Sequence, residues 1–272
     1  MNKYAVISSD SNPLYASFLP LTAMFWEMVG YKTICILTND FNHQINNGVL
    51  EYIFQHLSSQ TNTVIHIVGE IAGFKSSTLA QVVRLVAAAL PIDDDSYILT
   101  GDADMLPFSS SYFNQQDFGG ACFHVFSSDV YGPPADRHFQ MCYLGGDKKA
   151  WKSLMGIGVD NITNELSVLL RDRQDSWFVD ECILAEKMKS WSLFDSCQLF
   201  PRGYPPGGYA PRRLDRGSWH LPFDLSSLID CHSARPLLAH WNVLERLVDY
   251  FLPAESRDLA KSYVTGLSRF QT

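Results

Sequence analysis

Ser96-Tyr97-Ile98-Leu99-Thr100-Gly101-Asp102-Ala103-Asp104-Met105-Leu106-Pro107-Phe108 is the stretch whose reading decides the fold. Tyr97, Ile98 and Leu99 form a short apolar run of β-favouring side chains, bounded upstream by Asp93, Asp94 and Asp95 and downstream by Gly101. That is the pattern of a buried parallel strand. Two carboxylates stand where the strand stops. Residues i and i+2 of an extended chain point to the same side, so Asp102 and Asp104 converge if extended geometry persists past Leu99. Like charges so placed repel unless a cation or a shared proton relieves them. Oxygen ligands suit Mg²⁺ or Mn²⁺, which bind one or two carboxylates together with substrate phosphates. Metal-assisted phosphate chemistry is therefore the expectation, set against the plain alternative of two solvated turn residues.

Upstream, strands and helices alternate. Tyr4 to Ile7 reads as a first strand, and Ser8-Ser9-Asp10-Ser11-Asn12-Pro13 as a loop that caps a helix. Leu14, Phe18, Leu21, Phe25, Met28 and Val29 recur at helical period on one face, with Pro20 bending or dividing the helix and Gly30 ending it. Thr33 to Leu37 and Thr63 to Val68 read as strands, and Val49 to Leu57 as an amphipathic helix between them. Leu79, Val82, Val83, Val86 and Leu90 line a third helix that Pro91 closes; Arg84 falls well off that apolar face. This alternation predicts an α/β fold: a Rossmann-like, open, mostly parallel sheet flanked by helices. In such sheets ligands lie beyond the carboxyl ends of the strands, where Ser8 to Asn12 and Asp102 to Asp104 both fall.

The second half is less regular. Gly119 to Phe126 and Met141 to Leu144 are strand-like, and helices are predicted at Lys148 to Met155, Asn161 to Leu170 and Ser176 to Met188. Residues 200–217, rich in Pro, Gly and Arg, read as a long loop of the kind that often binds ligand.

Composition narrows the function classes. Of 272 residues, 46% are hydrophobic and 18% charged, an ordinary globular balance. Lys and Arg total 21 against 29 Asp and Glu, a net charge of −8, which excludes a general nucleic-acid binder. A phosphate-bearing small molecule then needs a metal or a local basic cluster. The apolar residues before Ser8 are too few for a signal-peptide core, and no later run is long enough for a membrane span. Cys35, Cys122, Cys142, Cys182, Cys197 and Cys231 are scattered without a Cys-x-x-Cys pair. They read as reduced thiols of a cytoplasmic protein.

Taken in order, these features resemble a nucleotide-sugar-dependent glycosyltransferase of the GT-A fold, the kind that carries an Asp-x-Asp motif. The motif-level likeness runs from Ser77 to Phe108: a helix bearing Arg84, then Leu90-Pro91, an acidic loop, and a strand ending in Gly101-Asp102-Ala103-Asp104. The resemblance implies a single catalytic domain over residues 1–272. Residues 1–108 would form the nucleotide-sugar half, 109–252 the acceptor side, and 253–272 a C-terminal helix or tail. It further implies that Asp104 holds Mn²⁺ or Mg²⁺ on the donor's two phosphates, and that Asp102 binds the ribose and supports the ion. Arg84 would contact donor sugar or diphosphate. Ser8, Ser9 and Asp10 match the loop that holds the nucleoside, although helix capping alone accounts for them equally well.

Met141-Cys142-Tyr143-Leu144-Gly145-Gly146 is similar to an acceptor-side strand whose small residues let sugar approach the backbone, with ordinary turn glycines as the alternative. Asp175-Ser176-Trp177-Phe178-Val179-Asp180-Glu181 resembles an acidic motif that opens a helix facing the donor. Asp180 or Glu181 would then be base or charge stabiliser, against the dipole preference of acidic residues for helix starts. His232 with Arg235-Pro236 loosely matches a late metal-binding His and basic residue, without the intervening Gly and with Arg in place of Lys. Arg202, Arg212 and Arg213 are further candidates for the diphosphate, and Tyr204, Tyr209, Trp219 and Phe223 for stacking on sugar. His240 reads as core or surface, and His220 is left open.

The implied reaction moves a sugar from a nucleoside diphosphate, UDP by default, to a hydroxyl of a saccharide or glycoconjugate. Its stereochemistry is undecided, and the late His favours retention slightly. Two alternatives stand beside it. One is a phosphohydrolase of the haloacid dehalogenase type, which places Asp-x-Asp on its first strand and follows it with Thr or Val. The other is a nucleotide- or sugar-binding module without turnover.

Overall fold

The computed structural model describes residues 1–43, 48–115, 121–133, 136–159, 161–204 and 210–270. Tyr209 and the predicted strand start at Gly119 lie outside the described residues. The chain begins with β1 (Lys3–Ser9), α1 (Pro13–Ala16), α2 (Leu19–Met28), β2 (Lys32–Thr38), α3 (Asn39–His43), α4 (Gly48–Ser58) and β3 (Thr63–Val68). It continues through α5 (Ser76–Val82), a 3₁₀ helix (Val83–Ala89), β4 (Tyr97–Thr100), β5 (Met105–Pro107) and α6 (Ser110–Phe113). The second half holds β6 (Phe123–Phe126), β7 (Leu144–Asp147), α7 (Lys148–Met155), α8 (Ile162–Leu170), α9 (Val179–Ser190) and β8 (Cys197–Phe200). It closes with β9 (Arg213–Leu214), β10 (Asp230–His232), α10 (Trp241–Phe251) and α11 (Ala254–Leu267).

Seven strands form one sheet in the order β3-β2-β1-β4-β7-β6-β8. Within it β7 runs antiparallel to both neighbours, and the remaining pairings are parallel. Side chains alternate between two cores, as the period of a strand requires. Ala5, Ile7, Cys35, Leu37 and Leu99 face Trp26 and Phe25 of α2. Val6, Ile34, Ile36 and Ile98 face Val82, Trp151 and Ile183 on the other side. The order of strands reverses between β1 and β4, so their carboxyl ends open the crevice that sheets of this kind use for ligands. A second sheet, β5-β10-β9, closes one side of that crevice.

Several expectations are corrected. Pro20 does divide the first helical run, and Asn12 caps α1 by accepting from Leu14 N. The second piece, however, is buried all round from Leu19 to Trp26 rather than amphipathic, because α4, α11 and β5 all pack on it. The helix predicted through Leu90 tightens to 3₁₀ geometry after Val82, which turns Arg84 inward to 5% exposure instead of into solvent. Gly145 and Gly146 lie inside β7, neither in a turn nor against the cleft. A Cβ on Gly145 would stand 2.0 Å from the Tyr97 hydroxyl, and one on Gly146 2.5 Å from the Phe123 ring, so cross-sheet packing requires both glycines. The six cysteines are all free. No helix among the described residues is long and apolar enough to cross a membrane.

His124 on β6 gives the fold a built-in acid sensitivity. Its ring is 2% exposed, stacks on Phe200, and has no partner for Nε2. Burial pushes its pKa down from 6.5 to about 4. The unfolded chain takes up this proton near pH 6.5 and the folded chain near 4, so stability falls as the pH drops through that window. Urea unfolding is expected to show about 3 kcal/mol more loss between pH 7 and pH 4 in the unmodified chain than in His124→Leu. Parallel pH profiles for the two proteins would refute this assignment.

Candidate functional site

The carboxyl ends of β1 and β4 open onto a cleft of about 980 Å³, bounded on its other sides by the start of α9 and the small sheet. Ser8, Ser9, Asp10, Arg84, Asp102, Asp104, Asp180, Glu181 and His232 all line it, as does Arg213, whereas Arg202, Arg212 and the predicted stacking residues Tyr204, Trp219 and Phe223 do not.

Within the cleft the residues sort differently from expectation. Extended geometry does not persist past β4: Met105 N donates to Asp102 O at 3.2 Å, closing a turn between the two carboxylates. Asp102 goes to Arg84, whose Nη1 donates to the Asp102 carboxylate and, at 3.1 Å, to Gly101 O. Arg84 Nη2 reaches Asp180 Oδ2 at 3.5 Å. A buried guanidinium thus joins the end of β4 to the start of α9, and Arg84 acts first as the brace between two acidic residues.

Asp104 goes the other way. Its side chain is 4% exposed, and Oδ2 has no hydrogen-bond partner. His232 Nε2 of β10 stands 3.7 Å from Oδ2, and Arg235 Nε 3.5 Å from it. Burial raises the pKa of Asp104, opposed by the positive neighbours beginning with His232. Among the described residues no three His, Cys, Asp or Glu side chains gather closely enough to hold a metal ion, so Asp102, Asp104 and His232 do not form a three-ligand set. Asp104 and His232 do form a pair. A buried carboxylate oxygen left unpartnered beside an imidazole nitrogen suits a divalent cation that draws its remaining ligands from substrate phosphates and water.

At the α9 end, Glu181 is the carboxylate that faces the cleft. Its Oε1 accepts from the Tyr131 hydroxyl at 2.8 Å, and His138 Nε2 lies 3.9 Å from Oε2. Burial raises the pKa of Glu181, opposed by the Tyr131 hydrogen bond; burial likewise raises Asp180, opposed by Arg84. Trp177 and Phe178 precede α9 as irregular chain and line the cleft at 55% and 62% exposure, where helix had been predicted from Ser176. At β1, the Ser8 hydroxyl is spent on Ala80 O, while Asp10 Oδ1 accepts from Asn12 N at 3.2 Å and its pKa is raised by burial. The cap of α1 is Asn12, and none of Ser8, Ser9 and Asp10 accepts from an amide of that helix.

The arginine-rich loop contributes in a different place. Arg202 and Arg213 both clasp the fully buried Asp230, and Arg212 donates to Ser227 O, so these are structural arginines. Arg216 stands 3.8 Å from Asp104 Oδ2, and Asp215 3.6 Å from His232 Nδ1. Tyr204, Trp219 and Phe223 do not line the cleft: Tyr204 meets Arg213, Trp219 packs edge-on to His240, and Phe223 lies under Arg246. His220 is exposed outside it. Asp215, Arg216, Tyr131 and His138 are the residues in contact with the candidate site that sequence reasoning missed. The first two sit at the end of the arginine-rich stretch, which was marked as a whole and not at these residues; nothing marks Tyr131 or His138 in the chain.

No protein-family model and no curated protein matches the sequence. The solved structures do. The galactosyltransferase LgtC, in complex with donor and acceptor sugar analogs, matches over 94% of this chain and 99% of its own, with TM-score 0.50 and 14% identity. This chain has a GT-A glycosyltransferase fold. The glycosyltransferase GlyE of Streptococcus pneumoniae TIGR4 matches over 98% of this chain and 64% of its own, with TM-score 0.48 and 14% identity. In this fold the crevice between β1 and β4 collects nine of the residues read from the sequence.

Proposed function

We propose that the protein is a glycosyltransferase that moves a sugar from a nucleoside diphosphate, UDP by default, to a hydroxyl of a saccharide or glycoconjugate. The observation that carries the reading is the unpartnered, buried Asp104 Oδ2 beside His232 Nε2 at the switch point of this sheet. Asp104 and His232 would hold Mn²⁺ or Mg²⁺. When bound, that ion supplies positive charge against the departing diphosphate. Residues 1–108 carry the nucleotide side, with the Ser8–Asp10 loop against the nucleoside and Asp102 toward the ribose; residues 109–252 carry the acceptor side, and α11 with the short 3₁₀ turn to Phe270 packs outside the site. Arg84 ties Asp102 to Asp180 and orients both carboxylates, and Arg235 adds a cation toward the phosphates.

Glu181 is the reacting carboxylate. It meets the oxocarbenium-like charge of the transition state or takes the acceptor's proton, and Tyr131 fixes its rotamer. The late His232 leans the stereochemistry toward retention. Trp177 and Phe178 present exposed ring faces at the rim, the kind of surface on which sugar rings stack. The free cysteines fit a cytoplasmic setting. A phosphohydrolase finds no support, because the Asp102 carboxylate that would attack phosphorus is engaged by Arg84. Incubation with UDP-, GDP-, TDP- and CMP-sugars plus Mn²⁺, with mass spectrometry of released nucleotide, tests the proposal. Release from one donor class is expected, and none from any donor would refute transfer in favour of a binding module.

A further inference from the structure

Asp104 Oδ2 faces two guanidinium groups and an imidazole, and none closes a hydrogen bond with it: Arg235 Nε at 3.5 Å, His232 Nε2 at 3.7 Å and Arg216 Nη2 at 3.8 Å. The three are not equivalent. Arg235 is anchored, its guanidinium 4.2 Å over the Tyr15 ring. Arg216 sits on a short 3₁₀ turn (Arg216–Ser218) at the cleft wall, with a side chain 37% exposed. Its Nη2 also lies in direct contact with His232 Nε2. A guanidinium has only donors to offer, so in the neutral ring it lies against the nitrogen that would otherwise present a lone pair to a cation. Asp215, facing Nδ1 of the same ring at 3.6 Å, favours the tautomer that puts the lone pair there. Arg216 therefore covers the one nitrogen that His232 presents toward Asp104.

Charge points the same way. With His232 in the neutral form that a metal ligand must take, Asp104 and Asp215 balance Arg216 and Arg235. A divalent ion added with Arg216 still in place would meet an uncompensated like charge at close range. We propose that Arg216 is a displaceable counter-ion of the Asp104–His232 pair, covering His232 Nε2 until a divalent cation takes its place. This rests on the reading of that pair as the ion's ligands.

Mn²⁺ alone, titrated into the full chain without nucleotide and followed by electron paramagnetic resonance of the free ion, tests it. Arg216→Gln is expected to bind Mn²⁺ roughly ten-fold or more tighter than the unmodified chain. Arg235→Gln removes the same charge from Asp104 but uncovers no nitrogen, and is expected to gain about three-fold at most. Equal gains in the two variants would reduce the effect to net charge and overturn the proposal, as would no gain in Arg216→Gln. Arg216→Lys, which keeps the charge and shortens the reach, covers the case of a Gln variant that does not fold; an intermediate gain is expected and none would overturn the proposal. Mn²⁺-dependent binding of UDP, measured beside it, separates the two levels. If that binding persists and is lost in Asp104→Asn while Arg216→Gln gains nothing, only the Arg216 proposal falls. If Asp104→Asn leaves Mn²⁺ binding unchanged in the Arg216→Gln background, the ligand pair is wrong and both fall.

Discussion

Asp230→Ala is expected to lower folding stability by about 3–5 kcal/mol, because it strands two buried guanidinium groups. Asp230 is wholly buried, and Arg202 Nη2 and Arg213 Nη2 reach its Oδ2 at 2.8 and 2.9 Å with side chains only 2% and 5% exposed. Burial works against its ionisation, yet the two arginines hold its pKa below the usual carboxylate value. The three residues come from the chain just after β8, from β9 and from β10, so the triad ties the small sheet to the large one and sets where His232 stands. Thermal unfolding is expected to fall by on the order of 10 °C in Asp230→Ala. A triple replacement of Arg202, Asp230 and Arg213 by Met, Leu and Met is expected to recover most of that loss, since apolar packing of similar volume replaces a buried ion triad at little cost. A shift of under about 1 kcal/mol in the single variant would show that water reaches the arginines and that the triad is not a tie.

Glu181→Gln is expected to lower turnover by ~10²–10⁴-fold while changing donor affinity by less than about two-fold. The substitution keeps size and removes charge, and Gln still accepts from Tyr131, so the α9 start is preserved. Asp180 is a weaker candidate for this role because its side chain is 5% exposed and faces Arg84. Asp180→Asn is expected to act through Arg84 and Asp102, raising the donor KM more than it lowers kcat. Burial raises the pKa of Glu181, and the ionised form is the active one, so turnover is lost as the pH falls through that raised value. The acid limb of kcat is therefore expected above the ordinary Glu range and absent from residual activity in Glu181→Gln. Full activity in Glu181→Gln with loss in Asp180→Asn would exchange the two roles.

Most of the first half was legible in the chain because short parallel strands and helices announce themselves by period. Tyr97 to Leu99 reads as a buried strand at either level of description, and Ser8 to Asp10 and Asp102 to Asp104 fall at strand ends in both. The tertiary reorganisation of single residues was not legible. Arg84 lies off the helical stripe in sequence, and only the tightening to 3₁₀ geometry turns it inward. Asp102 and Asp104 sit two apart, yet a turn sends one to Arg84 and the other to His232. Gly145 and Gly146 resemble turn glycines until Tyr97 and Phe123 are seen across the sheet. The arginine-rich loop was recognised as irregular, but which of its arginines meet Asp230 and which meet Asp104 depends on a fold that brings residues 104, 216, 230 and 232 together. Tyr131 and His138 lie some 40 to 50 positions before Glu181 with no pattern joining them.

The central claim is that Asp104, with His232, makes this cleft a divalent-ion-dependent site for a nucleoside diphosphate. Isothermal titration of UDP into the unmodified chain and into Asp104→Asn, each with and without Mn²⁺, tests it most directly. Binding in the unmodified chain that strengthens at least about ten-fold with Mn²⁺ and loses that gain in Asp104→Asn is the predicted result. UDP binding with the same Mn²⁺ gain in both proteins, or no Mn²⁺ gain in either, would contradict it.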